Sequence, residues 1–269
     1  MVTKASRPER TALITGASSG IGEELARCFA KGGFGLVLVA RSADKLQLLA
    51  EALQREHAVD VMVMPADLAQ PGAAAALAKA LARKHVAVDV LVNNAGVLEQ
   101  GAFCAIDAAR HQELIALNVA GLTALLAEFL PGMRDRGWGR VLNVASIAAF
   151  QPVPALATYA ATKAYVLSLT EALSEELKGS GVTLTALCPG ITATPMVSRA
   201  AEANRKLAQL PGFMVGDAAS VAAEGYQACV RGEVIRVPGV VNLAGTLAAR
   251  ATPKWLLRSL SGLVARRSL

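Results

Sequence analysis

Aromatic residues are scarce, at 4% of the 269 positions, and charged residues make up only 18%. The formal charge is +6, but Lys and Arg are scattered along the first 230 positions rather than gathered into a face. With so few rings to stack on bases, a nucleic-acid partner is not expected. The four cysteines, Cys28, Cys104, Cys188 and Cys229, form no CxxC pair and have no partner at metal-ligand spacing. They point to a reducing compartment rather than a disulfide framework. His57, His85 and His111 likewise lack a nearby carboxylate or cysteine at ligand spacing, and no metal is expected. No uninterrupted apolar run approaches the roughly 18 residues that cross a bilayer. The opening "MVTKASRPER" has no apolar stretch of the signal-peptide kind, so a soluble, cytoplasmic protein is expected.

What the chain has is Ala, Val and Leu, within a hydrophobic fraction of 54%. Such a composition suits a sheet buried on both faces. Seven apolar segments recur: "TALIT", "GLVLVA", "VDVMVMP", "VDVLVNN", "GRVLNVAS", "GVTLTALCP" and "EVIRVP". Between them, stretches such as 42–57, 71–84, 111–133 and 158–178 carry apolar residues at three- and four-residue spacing. Alternating strands and helices predict βαβ units, a parallel sheet and one α/β domain over residues 1–269. Residues 191–216 break the alternation just after the sixth strand, where open α/β sheets bind ligands, and read as a substrate lid.

The first strand runs into "GASSGIG", with Gly16, Gly20 and Gly22. Glycine suits any tight turn. Between a strand and a helix it also lets backbone approach an anion such as a pyrophosphate. The spacing here is G-x-x-x-G-x-G. The second strand ends at Ala40 and Arg41, where an NAD-selective site carries an acid for the ribose 2′-hydroxyl. A guanidinium can instead bind a 2′-phosphate, with Ser42 and Lys45 assisting. Asp67 follows the third strand, and Asn93, Asn94, Ala95 and Gly96 follow the fourth. Tyr159 and Lys163 are four apart at the start of a helix and share a face, and Ser146 closes the fifth strand. A phenol whose pKa is lowered by a neighbouring ammonium can protonate an alkoxide that forms beside a serine hydroxyl.

Taken together, Thr15-Gly-Ala-Ser-Ser-Gly-Ile-Gly22, Asp67, Asn93-Asn-Ala-Gly96, Asn118, Ser146, Tyr159-x-x-x-Lys163 and Pro189-Gly190 resemble the short-chain dehydrogenase/reductase family over nearly the whole chain. The resemblance implies a doubly wound Rossmann-type domain with a seven-stranded parallel sheet, and a homodimer or homotetramer. It implies that Ser146, Tyr159 and Lys163 carry the chemistry while Asn118 positions a water for the proton relay. For the cofactor, NADP, it implies contacts from Gly16, Ser18, Ser19, Gly20, Ile21, Gly22, Arg41, Ser42, Asp67, Leu68, Asn93, Ala95, Gly96, Tyr159, Lys163, Pro189, Gly190, Ile191 and Thr194. The activity so implied is NADPH-dependent reduction of a ketone or aldehyde. A 3-ketoacyl thioester is included as substrate; an alcohol dehydrogenase, an epimerase or a non-catalytic NADP-binding regulator are the alternatives.

The chain departs from the family where acyl-carrier reductases end in a strand resembling "GQVLxVDGG", since "GEVIRVPGVVNLAG" stands here. That favours general ketone and 3-ketoacyl reductases with a longer C-terminal extension, residues 239–269. Phe150, Val153, Met196, Phe213 and Met214 are expected to line an apolar pocket for a hydrophobic carbonyl substrate. From Pro253, Trp255, Leu256, Leu260, Leu263 and Val264 can form one helical face, with Lys254, Arg258, Arg266 and Arg267 around it. Packing beside the lid is the favoured role, ahead of a subunit contact or an anionic membrane surface.

Overall fold

The computed structural model describes residues 10–198, 215–253 and 255–259. Strands β1 (Thr11–Thr15), β2 (Gly35–Ala40), β3 (Val61–Pro65), β4 (Val90–Asn93), β5 (Gly139–Val144), β6 (Val182–Leu187) and β7 (Ile235–Arg236) form one parallel sheet. Each lies inside one of the seven apolar segments. Their order is β3-β2-β1-β4-β5-β6-β7, so the direction of winding reverses between β1 and β4. A crevice opens there at the carboxyl ends of the strands.

Among the described residues, the helices of eight residues or more are α1 (Gly20–Lys31), α2 (Ala43–His57), α3 (Ala73–Arg83), α4 (Ala108–Ile115), α5 (Leu122–Asp135), α6 (Ala157–Glu176), α7 (Ala218–Arg231) and α8 (Val240–Ala251). Strand alternation sends their contacts to two separate cores. Ala12, Ile14, Leu36, Leu38, Val90 and Val92 pack with Leu25 and Phe29 of α1 and Leu46 and Leu53 of α2. Leu13, Val37, Val39, Leu91 and Val141 face the other way, onto Leu77 of α3, Leu125 of α5 and Val166 of α6. This is why "GLVLVA" is apolar without alternation: both of its faces are covered.

The stretch expected as one helix over 111–133 is α4 and α5 joined through a π-helical segment, Ala116–Gly121. Gly121 is required in it, because a Cβ there would lie 2.5 Å from Leu68 O. The whole run Ala108–Asp135 is long and apolar enough to cross a bilayer. Its Leu114, Leu122, Leu125, Leu126 and Met133 are instead buried against the rest of the chain.

The two ends of the 191–216 segment are tied together, with Ala193 N donating to Gly216 O and Gly216 N to Ile191 O. Residues 199–214, with Phe213 and Met214, lie outside the described residues, as do Lys254, Leu260, Leu263, Val264, Arg266 and Arg267.

Candidate active site

The cleft at the winding reversal begins with a lock between β1 and β4. Thr15 Oγ1 donates to Val92 O (3.1 Å) and accepts from the amides of Asn94 and Ala95 (both 3.0 Å). Asn94 Nδ2 returns bonds to Thr15 O (3.0 Å) and Gly16 O (3.2 Å). The glycine loop is thereby held open in one shape. Gly16 and Gly20 have φ of 65° and 60°, in the region that side chains resist. Gly22 acts differently: a Cβ there would lie 2.3 Å from both Gly16 O and Asn94 Nδ2, so its absence lets α1 close onto the loop. Gly22→Ala is expected to cost about 3 kcal/mol of stability, because the clash is with backbone and a locked amide. Urea unfolding measures it, and an unchanged midpoint would contradict the close-packing role.

Helix α1 starts at Gly20, and the Ser19 hydroxyl makes no capping bond. The positive end of the helix and the loop amides thus offer an anion cradle that a Cβ would fill. Gly16, Ser18, Ser19, Gly20 and Ile21 line a cleft of about 700 Å³, and Arg41, Ser42 and Lys45 line its edge. All three edge residues are exposed, and Ser42, the N-cap of α2, makes no capping bond with its hydroxyl. Asp67 and Leu68 form another wall. Asp67 Oδ1 accepts from Ala69 N (3.1 Å), which fixes the turn after β3. Ala95, Gly96, Pro189, Gly190 and Thr194 complete the wall. These residues fit a dinucleotide with its pyrophosphate on α1.

Three expected contacts fall elsewhere. Asn93 is buried inside β4, and its Nδ2 donates to Oδ1 of its cross-strand partner Asn143 (2.9 Å). Strand alternation turns Asn93 away from the cleft and gives its place to Asn94. Gly22 packs behind the loop, and Ile191 is not part of the cleft wall, although its carbonyl holds Gly216.

Ser146, Tyr159 and Lys163 line the same cleft. Ser146 ends the chain's run out of β5 and caps a 3₁₀ turn, Ile147–Phe150, its Oγ accepting from Ala148 N (3.1 Å). Tyr159 and Lys163 stand one turn apart on α6. The Lys163 ammonium is buried, donates to Val144 O (2.8 Å) and lies 5.8 Å from the Tyr159 ring centroid. Burial lowers its pKa to about 8. Burial also raises the Tyr159 phenol, opposed by a hydrogen bond with Ser146. The phenol is thus shifted upward, not downward as expected, and what opposes desolvation is Ser146 rather than the Lys163 ammonium.

Asn118 sits in the π-helical segment and does not reach the cleft wall. Its amide clamps Val97, accepting from Val97 N and donating to Val97 O (both 2.9 Å), and also donates to Thr162 Oγ1 (3.2 Å). A Cβ on Gly96 would lie 3.2 Å from Asn118 Oδ1 and 3.5 Å from Lys163 Nζ, so both side chains come up close against that glycine. Thr162 is a further residue of this arrangement, and its place three residues after Tyr159, one turn along α6, is the sequence signal that points to it.

Of the expected pocket, Met196 lines the cleft, with Pro195 and Val197. Phe150 and Val153 do not. The Phe150 ring turns toward α8, where the Arg250 guanidinium lies 5.4 Å from its centroid and pairs with Glu171 (3.1 Å).

The sequence profile of short chain dehydrogenases matches residues 10–205. A D-beta-hydroxybutyrate dehydrogenase of Rhizobium meliloti is 32% identical over 191 residues, 71% of this chain and 74% of the relative. Among solved structures, a short-chain dehydrogenase from Sphingobium yanoikuyae in complex with NADPH superimposes with a TM-score of 0.80 at 35% identity, covering 95% of each chain. A bulky-bulky ketone specific alcohol dehydrogenase from Comamonas testosteroni gives 0.77 at 32% identity, over 91% of this chain and 93% of that one.

Proposed function

The chain belongs to the short-chain dehydrogenase/reductase family, an oxidoreductase family acting on CH–OH groups, and from that premise we propose that it reduces a hydrophobic ketone or aldehyde with NADPH. The observation that carries this reading is the convergence of Ser146, Tyr159 and Lys163 on the cleft that the glycine loop opens. NADPH supplies the hydride. The Ser146 hydroxyl, whose oxygen accepts from Ala148 N and which is bonded to Tyr159, would turn its proton to the substrate oxygen as charge develops. Tyr159 then protonates that oxygen. A phenol raised by burial stays protonated at neutral pH, which suits reduction; the reverse direction needs the phenolate and is favoured by alkali. Lys163 holds the end of β5 through Val144 O, and its remaining N–H bonds would serve the nicotinamide ribose of a bound cofactor.

Asn118 supports this site from behind by fixing Val97 and Thr162, rather than from the cleft wall. A preference for NADPH over NADH is part of this reading, supported by Arg41, Ser42 and Lys45 on the cleft edge just after β2, the position at which an NAD-selective site carries an acid. The sulfhydryls of Cys28, Cys104, Cys188 and Cys229 are free, in keeping with a cytoplasmic enzyme. A homodimer or homotetramer is part of the same reading. NADPH consumption across bulky ketones, aldehydes and 3-ketoacyl thioesters tests it. Rapid turnover of an apolar ketone is expected, and no consumption with any carbonyl compound would reject it.

Lys163 also gives the fold a pH signature. Its pKa falls from 10.5 unfolded to about 8 folded, so below pH 8 the native state carries a buried charge at a cost of about 3 kcal/mol. Between those values the unfolded chain binds the extra proton, and stability rises with pH. Relative to Lys163→Met, the wild-type protein is expected to gain about 3 kcal/mol between pH 7 and the top of that window. Parallel unfolding curves compare the two proteins, and a constant difference between them would contradict the buried ammonium.

A further inference from the structure

The cleft wall also carries charge that the proposed reaction does not use. Glu99 and Gln100 line it from the loop after β4, and Arg110 and Glu113 line it from α4. Arg110 Nε and Nη2 both donate to Glu99 Oε2 (3.0 and 2.9 Å), and its Nη1 pairs with Glu113. One guanidinium thus faces two carboxylates. The trio holds a net charge of about −1, and Arg110 is already engaged by its neighbours.

The anchoring of the loop sets where this charge falls. Val97 is clamped by Asn118, and Gly101 N donates to Ala155 O (2.9 Å), four residues before Tyr159. Glu99 lies between these two ties, in a loop anchored to Asn118 and to the segment that leads into Tyr159, and it lines the cleft. The apolar Pro195, Met196 and Val197 line the cleft from the segment that follows β6.

Resting on the carbonyl-reductase reading, we propose that the Glu99–Arg110–Glu113 trio is a charge filter that admits neutral apolar ketones and disfavours substrates bearing a carboxylate or phosphate. The physical basis is selection against a like charge brought into a partly desolvated cleft. The filter separates this chain's substrate class from the anionic hydroxybutyrate in the name of the Rhizobium meliloti relative. It also sets 3-ketoacyl groups on phosphate-bearing carriers below the corresponding neutral esters.

The test compares kcat/KM for a neutral 3-oxo ester and for the 3-oxoacyl coenzyme A of the same chain length. At low ionic strength the ester is expected to be used about tenfold better. In about 1 M salt, where the Debye length is about 3 Å, the gap should shrink severalfold. The double variant Glu99→Gln, Glu113→Gln leaves Arg110 uncompensated and should move the ratio toward the anion by about tenfold, with the NADPH dissociation constant within twofold by fluorescence titration. Equal use of both substrates by the wild-type protein, a ratio insensitive to salt, or a double variant that alters NADPH affinity instead of the ratio would overturn the filter while leaving the reductase reading intact. Failure to reduce these or any other carbonyl compound would overturn the reductase reading and the filter with it.

Discussion

Tyr159→Phe is expected to lower kcat by about a thousandfold or more while NADPH binds within about threefold of the wild-type affinity. The substitution removes one hydroxyl and keeps the ring that lines the cleft. It also removes the partner of Ser146, so the serine is left free to hold the substrate oxygen but no group delivers the proton. Because the phenol is raised by burial, the wild-type rate of reduction should hold level through neutral pH instead of falling there. Stopped-flow NADPH oxidation and fluorescence titration measure the two quantities separately. A variant that keeps a tenth of the rate would remove Tyr159 from the chemistry.

Arg41→Asp is expected to shift the ratio of NADPH to NADH efficiency by about a hundredfold, enough to erase or invert the preference. The change exchanges an attraction to the 2′-phosphate for a repulsion, at an edge where Lys45 alone remains cationic. Ser42 still offers its uncapped hydroxyl, which either a phosphate or a ribose hydroxyl can use. The effect should weaken in high salt because the edge is exposed. Unchanged constants for both cofactors would show that Arg41 takes no part, and would move attention to Ser18 and Lys45.

The sheet was legible because a strand covered on both faces must be apolar along its buried length, as "GLVLVA" and the Ala12–Ile14 stretch of "TALIT" are. The glycine loop was legible as well, since Gly16 and Gly20 need their positive φ and Gly22 its missing Cβ. Resolution of single neighbours was harder. Asn93 and Asn94 are chemically identical, and only the end point of β4 decides that one is sealed against Asn143 while the other clamps the loop. The π-helical segment at Asn118 inserts a register shift that three- and four-residue spacing cannot reveal, so a helix expected in one piece is broken where the amide must turn toward Val97. Phe150 follows Ser146 closely in sequence, yet the 3₁₀ turn sends its ring to α8. The sign of the Tyr159 shift was not readable either, because it depends on how much water the folded cleft removes from the phenol.

The most direct test of carbonyl reduction in this cleft is the fate of the hydrogen. The alcohol formed from a bulky apolar ketone with NADPH deuterated at the transferable C4 position of the nicotinamide should carry one deuterium on the carbinol carbon. One alcohol should appear per NADPH consumed, and Tyr159→Phe should form almost none. Product lacking deuterium at that carbon, or equal product from the Tyr159→Phe variant, would contradict the assignment.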